Sequence, residues 1–215
     1  MIRVLVVDDH ELVRSGISRL LDDTGMIDVV GQAGSGEDAV RMAKEIEPDI
    51  ILMDIHMPGI GGMAATRKIL HNQPDAQVIA VTVSDDNPYA SRLLKMGASG
   101  YITKGADADE MLRAIIKVKS GQKYISPEIA QRMALRPFES EAESPFEVLS
   151  ERELQIALMI VNCQKVQQIG EALFLSPKTV NSYRYRIFEK LNISSDVELT
   201  HMALRYGLVN PNEGS

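Results

Sequence analysis

Cysteine is almost missing from this chain: Cys163 is the only one, so no internal disulfide can form. Long hydrophobic runs are missing as well. Stretches such as IALMIV at 156–161 fall far short of the ~18–20 apolar residues that a membrane span requires. The first ten residues, MIRVLVVDDH, reach an acid too early for a secretory leader. There is no internal repeat and no low-complexity tract. These absences set aside disulfide-stapled and membrane-inserted classes and point to a reducing, cytoplasmic setting. Cys163 itself reads as a small buried residue with no redox role.

An excess of positive charge is also lacking, since the net charge is −7. The deficit is uneven. Residues 1–121 hold 13 Lys/Arg against 18 Asp/Glu, whereas residues 149–215 hold 7 of each. Within the neutral tail, Lys178, Arg184, Arg186 and Lys190 face only Glu189 between 176 and 190. The global balance argues against wholesale nucleic-acid binding; the local one leaves a single helix open to it.

The first 121 residues alternate between two periodicities. Strand-like runs occur at 3–7, 28–33, 49–55, 77–83 and 100–104, with helical spacing between them, as in Val13, Ile17, Leu20 and Leu21. Five such repeats predict a parallel five-stranded sheet covered on both faces. Right-handed crossovers bring every strand's carboxyl end to one edge, where ligands bind. Residues 122–147 read as a linker, with a short helix at 126–135. Residues 148–215 read as an all-α domain of four short helices. Ser150 with Glu153 and Ser195 with Glu198 are expected capping boxes, and Ser176 with Pro177 opens the helix between.

The carboxylate edge carries the chemistry. Asp8 and Asp9 end the first strand, Asp54 the third, Thr82 lies near the end of the fourth, and Lys104 ends the fifth. Three converging carboxylates would raise at least one pKa unless a cation joined them. Mg²⁺ suits such oxygen donors. Lys104 and Thr82 can neutralise and donate to phosphoryl oxygens. Asp54, alone on the central strand, is then the expected acceptor of a phosphoryl group, with Asp8 and Asp9 as metal residues. A haloacid-dehalogenase-type phosphatase would need a second acid two residues after its nucleophile, whereas His56 stands there.

VDDH, MDIHMPGIGG, VTV and YITKG resemble, in order and spacing, the receiver domain of two-component response regulators. The resemblance covers residues 1 to about 121 and implies a flavodoxin-like (βα)5 fold. It also implies Mg²⁺ held by Asp8, Asp9, Asp54 and the backbone carbonyl of His56. Thr82 would be the switch hydroxyl, Lys104 the phosphate partner and Tyr101 an aromatic reporter. Pro58 and Gly59 would shape the turn after the acceptor, and His56 and Ser84 would tune phosphoryl lifetime. Such a protein accepts phosphoryl groups and is not an enzyme in the ordinary sense.

On SPKTVNSYRYRIFEKL (176–191), Val180, Tyr183, Ile187 and Leu191 share one face. Lys178, Asn181, Ser182 and Tyr185 lie opposite, Thr179 and Arg186 flank them, and Arg184 sits nearer the apolar side. Residues 149–209 resemble the LuxR-type helix-turn-helix that closes NarL/FixJ-family regulators. That implies a recognition helix reading double-stranded DNA and a homodimer on activation. Asn162-Cys163 replaces a more usual glycine-centred turn, and Gly170 replaces an alanine. Over its length the chain is similar to the GacA/UvrY group, which implies a BarA/GacS-like sensor histidine kinase as partner and small regulatory RNA promoters as targets. The alternative is a receiver-bearing adaptor that binds protein through its last helices, which promoter footprinting would separate.

Overall fold

The computed structural model describes residues 1–82, 89–139, 144–206 and 208. They divide into two compact units, Met1–Met133 and Ala134–Ser215. The first alternates strand and helix: β1 (Ile2–Val7), α1 (Glu11–Asp22), β2 (Ile27–Ala33), α2 (Gly36–Ile46), β3 (Ile50–Asp54), α3 (Gly61–Asn72), β4 (Val78–Thr82), α4 (Tyr89–Met96), β5 (Gly100–Thr103) and α5 (Ala108–Lys119). A further strand, β6 (Tyr124–Ile125), pairs with β5, giving a fully parallel sheet in the order β2-β1-β3-β4-β5-β6. The expected five strands are therefore corrected to six. A two-residue strand is too short to show a period-two pattern, so its sequence carried no signal.

Side-chain alternation sorts the strands onto two cores. Val4, Val6, Ile50, Leu52, Ile79 and Val81 pack with Leu21 of α1 and Ala114, Ile115 and Val118 of α5. Leu5, Val7, Ile51, Met53 and Val78 pack with Ala39 and Ala43 of α2 and Ala65 and Ile69 of α3. Every residue of β3 is buried, each large apolar side chain contributing ~1.5–3 kcal/mol. The chain leaves β1 toward β2 and returns to β3 on β1's other side, so connections diverge at the carboxyl ends of β1 and β3. That is the crevice where sheets of this kind bind ligands.

Helix α6 (Pro127–Glu139) follows β6 and runs across the division between the units. Much of the segment expected to be linker is thus regular structure. The second unit continues with a short 3-10 turn (Pro145–Val148), α7 (Glu151–Val161), α8 (Val166–Leu173), α9 (Pro177–Leu191) and α10 (Asp196–Arg205). Leu154, Ile156, Ile169, Leu173, Val180, Ile187 and Leu199 are buried in its core. Ser150 and Glu153 form the expected reciprocal capping box. Ser195 accepts from Glu198 N, but the Glu198 carboxylate turns to the backbone N and hydroxyl of Ser194, so this box is only half formed.

Cys163 is exposed, which corrects its expected burial. It sits after the end of α7 at φ +59, the left-handed position that glycine favours, and its neighbour's Gln164 N–H bonds back to Met159 O. Turn geometry, not apolarity, placed it. Cys163→Gly is expected to raise the stability of this unit by about 0.5–1 kcal/mol in urea denaturation, since glycine removes the side-chain clash. A lowered midpoint would refute this. No helix among the described residues is long and apolar enough to cross a membrane.

Candidate functional site

The divergence of β1 and β3 gathers residues from far apart in the chain. Asp8 and Asp54 are each 1% exposed at the carboxylate edge. Lys104, one residue beyond β5, reaches between them: its Nζ lies 2.7 Å from Asp8 Oδ2 and 2.9 Å from Asp54 Oδ2. The backbone N–H of His56 donates to Asp54 Oδ1 at 3.1 Å. Asp9 is half-buried beside them, and His10 Nδ1 lies 3.0 Å from its Oδ1. Part of the charge compensation that the sequence assigned to a metal is thus supplied by Lys104 itself. Burial, the largest influence, and the neighbouring Asp8 raise the Asp54 carboxyl while Lys104 and the His56 N–H lower it, and the balance leaves it raised to about 6. For Lys104, burial acts to lower the pKa, but its hydrogen bonds to Asp54 and Asp8 outweigh burial and hold it above the usual lysine value.

Thr82 is fully buried at the end of β4. Parallel register pairs Ala80 with Tyr101 and Thr82 with Thr103, so Thr82 and Tyr101 share one face of the sheet. Tyr101 is 0% exposed, its ring already inside that face. Ser84 lies outside the described residues. Beyond the acceptor, Gly59 has φ +72, and Ile60 N donates to Glu37 Oε1 at 3.1 Å, holding the turn against α2.

In the second unit, α8 and α9 form a helix-turn-helix, with Ser176 capping α9 by accepting from Thr179 N. Val180, Ile187 and Leu191 are buried, as the periodicity requires. Lys178, Ser182, Tyr185 and Arg186 are exposed or partly so and Asn181 is half-buried, so these five lie on or beside the open face. Thr179 is engaged instead in the cap, its hydroxyl 2.8 Å from Ser176 Oγ. Two of the four cations in this segment serve the fold. Arg184 is held bidentately by Asp196, and Lys190 Nζ lies 2.6 Å from the buried Glu153 carboxylate. The basic face therefore reduces to Lys178 and Arg186.

Residues 4–116 match the response regulator receiver domain family, and residues 147–203 match the luxR family of bacterial regulatory proteins. The chain is 61% identical to response regulator GacA of Pseudomonas viridiflava, covering 98% of this chain and 99% of that one. It is 57% identical to response regulator UvrY of Escherichia coli (strain K12), covering 98% and 97%. The chain belongs to the response regulator family. The receiver match runs from β1 into α5, and the luxR match, that of the LuxR-type DNA-binding domain, runs from the 3-10 turn into α10. Among solved structures, a LuxR-family two-component response regulator from Aurantimonas sp. SI85-9A1 matches with TM-score 0.61 and 37% identity, over 63% of this chain and 97% of that one. RcsB from Salmonella enterica serovar Typhimurium, bound to promoter rprA, shares the fold with TM-score 0.66 at 19% identity, over 94% and 97%.

Two residues beside this response regulator's receiver site, Gly62 and His10, carry little signal in the sequence. Gly62 in α3 abuts the acceptor strand so closely that a Cβ there would lie 1.9 Å from Asp54 O. Its only sequence signal was the GIGG run. His10, whose only sequence signal was its place at the end of VDDH, lies against both N-terminal acids.

Proposed function

We propose that this response regulator is a transcription factor switched by phosphorylation of Asp54, with a sensor histidine kinase of the BarA/GacS kind as donor. The observation that carries the reading is the buried Asp8–Lys104–Asp54 bridge at the β1/β3 crevice. A carboxyl titrating near 6 is mostly ionised at neutral pH and still basic enough to act as nucleophile. An Asp54 oxygen attacks phosphorus, the phosphohistidine P–N bond breaks, and the imidazole leaves. Lys104 and Thr82 then meet the new phosphoryl oxygens. Turnover beyond slow self-dephosphorylation is not part of this role.

The donor set fits a hard divalent ion. Asp8, Asp9, His10 and Asp54 each offer one atom within 4.8 Å of the others, and Asp9 Oδ1 is buried without a hydrogen bond from any described residue. Asp8, Asp9, Asp54 and the His56 carbonyl would hold Mg²⁺, which supplies neutralisation of phosphoryl charge. Phosphorylation exchanges one negative charge for about two and adds acceptor oxygens, favouring an inward Thr82. Tyr101, already buried on the same face, responds to that shift. The outcome is a homodimer that binds an inverted repeat, at promoters of small regulatory RNA genes.

Acetyl phosphate with Mg²⁺ tests this directly. Intact mass should show one phosphoryl group on the wild type and none on Asp54→Asn, with operator affinity rising only in the wild type. A label that persists in Asp54→Asn would displace the acceptor assignment. On the DNA side, Lys178→Ala should weaken binding to all sequences alike and reduce the salt slope by about one. Asn181→Ala should cost about 1–3 kcal/mol at its preferred bases only, read by affinity for single-base operator variants.

A further inference from the structure

We infer that Glu37 is a positioning residue for phosphoryl acceptance, acting through the loop between β3 and α3; this rests on the acceptor reading of Asp54 proposed above. That loop, residues 55–60, supplies a backbone group that holds the acceptor: His56 N–H donates to Asp54 Oδ1 at 3.1 Å. The path of the chain here therefore sets how the carboxylate is presented. At its far side the loop has little stiffness of its own. Gly59 and Gly61 both stand at φ +72, a conformation that glycine enters and leaves freely. Gly62 N–H closes the loop on Ile55 O at 3.1 Å, but that bond joins its two ends and leaves the turn between them to be fixed from outside.

Helix α2 fixes it. Ile60 N–H donates to Glu37 Oε1 at 3.1 Å, across 23 residues of sequence. Both carboxylate oxygens lie against the turn, since a Cβ on Gly59 would come within 2.7 Å of Oε1 and 2.8 Å of Oε2. Gly36 completes the fit: a Cβ there would lie 2.7 Å from Ile60 Cγ1 and 3.0 Å from Gly61 O. The place of Glu37 is itself set, in the first turn of a helix capped by Ser35, whose hydroxyl accepts from Asp38 N at 3.1 Å. A carboxylate that accepts from a backbone N–H makes a charge-assisted bond, about twice as strong as a neutral one. The loop is thus pinned twice, at His56 by the acceptor and at Ile60 by Glu37.

Glu37 is exposed and stands outside the Asp8–Lys104–Asp54 bridge, so its action is indirect. Without it the glycine turn samples other paths and carries the His56 N–H away from Asp54. Transfer then proceeds only from the fraction of molecules whose loop is in place. If that fraction falls to about a tenth, the rate falls about tenfold.

Acetyl phosphate labelling of the full chain at saturating Mg²⁺ is timed by intact mass for wild type, Glu37→Ala, Glu37→Gln and Asp38→Ala. Backbone amide exchange is followed by NMR in the same proteins without phosphodonor. Glu37→Ala should slow labelling about tenfold and speed exchange of the His56, Ile60 and Gly62 amides by a similar factor, with amides inside β3 within about twofold of wild type. Glu37→Gln keeps an acceptor oxygen and should label within about threefold of wild type. Asp38, on the same helical turn, bonds to Ser35 and Arg41 instead of the loop, so Asp38→Ala should label like wild type. Unchanged labelling in Glu37→Ala overturns the inference, as does slow labelling with unchanged loop exchange. Equal slowing in Asp38→Ala overturns it too, because loss of helix stability alone would then suffice. A wild type that takes no phosphoryl group overturns the acceptor reading and this inference with it; a labelled wild type indifferent to Glu37 overturns the inference alone.

Discussion

Asp54→Asn is expected to stabilise the receiver unit at neutral pH by about 3 kcal/mol in the absence of divalent ions, and to give almost nothing in acid. The folded-state pKa of about 6 lies above the ordinary aspartate value of 3.8. An acid whose pKa rises on folding holds its proton more tightly in the native state. Its stabilising contribution is full below the unfolded pKa and is lost as pH climbs through the folded one. A tenfold change in proton affinity is worth about 1.4 kcal/mol, so a rise from the ordinary value to about 6 separates the protonated and ionised forms by about 3 kcal/mol. Asparagine keeps the shape and removes the charge, so the gap between mutant and wild type should open from pH ~4 and level off above pH ~6. Urea denaturation across about pH 4–8 reads it. Millimolar Mg²⁺ should narrow the gap, because a cation bound only to the native, ionised site restores wild-type stability. A gap that is flat with pH would mean that burial does not raise the Asp54 carboxyl.

Gly62→Ala is the other large effect. The added Cβ would meet Asp54 O at 1.9 Å and Ile55 Cα at 2.7 Å, both of them backbone atoms that cannot rotate aside. Helix α3 must move off the end of β3, breaking the Gly62 N–H bond to Ile55 O. A loss of more than about 3 kcal/mol is expected, beyond the ordinary cost of overpacking. The damage falls on the acceptor loop, so phosphorylation by acetyl phosphate should fail even where the unit remains folded at low temperature. An alanine variant with wild-type stability and labelling would show that α3 can give way. Gly170 makes a milder case: its Cβ would meet Leu175 O at 2.7 Å, which explains a glycine where the helix interior would otherwise favour alanine.

The two parts of the site differed in how legible they were. Asp8, Asp9, Asp54, Thr82 and Lys104 could be placed at one edge without coordinates, because alternating elements imply a parallel sheet whose strand ends coincide. The apolar side of α9 followed from a 3.6-residue period. The ion pairs of Arg184 and Lys190 could not be read in this way. Their partners, Asp196 and Glu153, come from other helices, and a charge count cannot tell a cation facing DNA from one bound inside the fold. Cys163 misled for a related reason: composition suggests burial, but a left-handed turn put it at the surface.

Local order and residue type, then, determined the alternating receiver architecture, the four helices of the DNA-binding domain and the identity of the candidate acceptor carboxylate. These are properties of periodicity and spacing, which act over a few residues and survive in one dimension. The tertiary structure decided that Lys104 bridges Asp8 and Asp54, that a sixth strand joins the sheet, that Gly62 must be a glycine and that His10 turns onto the acids. Each depends on distances that only the folded chain sets, where packing and electrostatics act through space and leave no periodic trace.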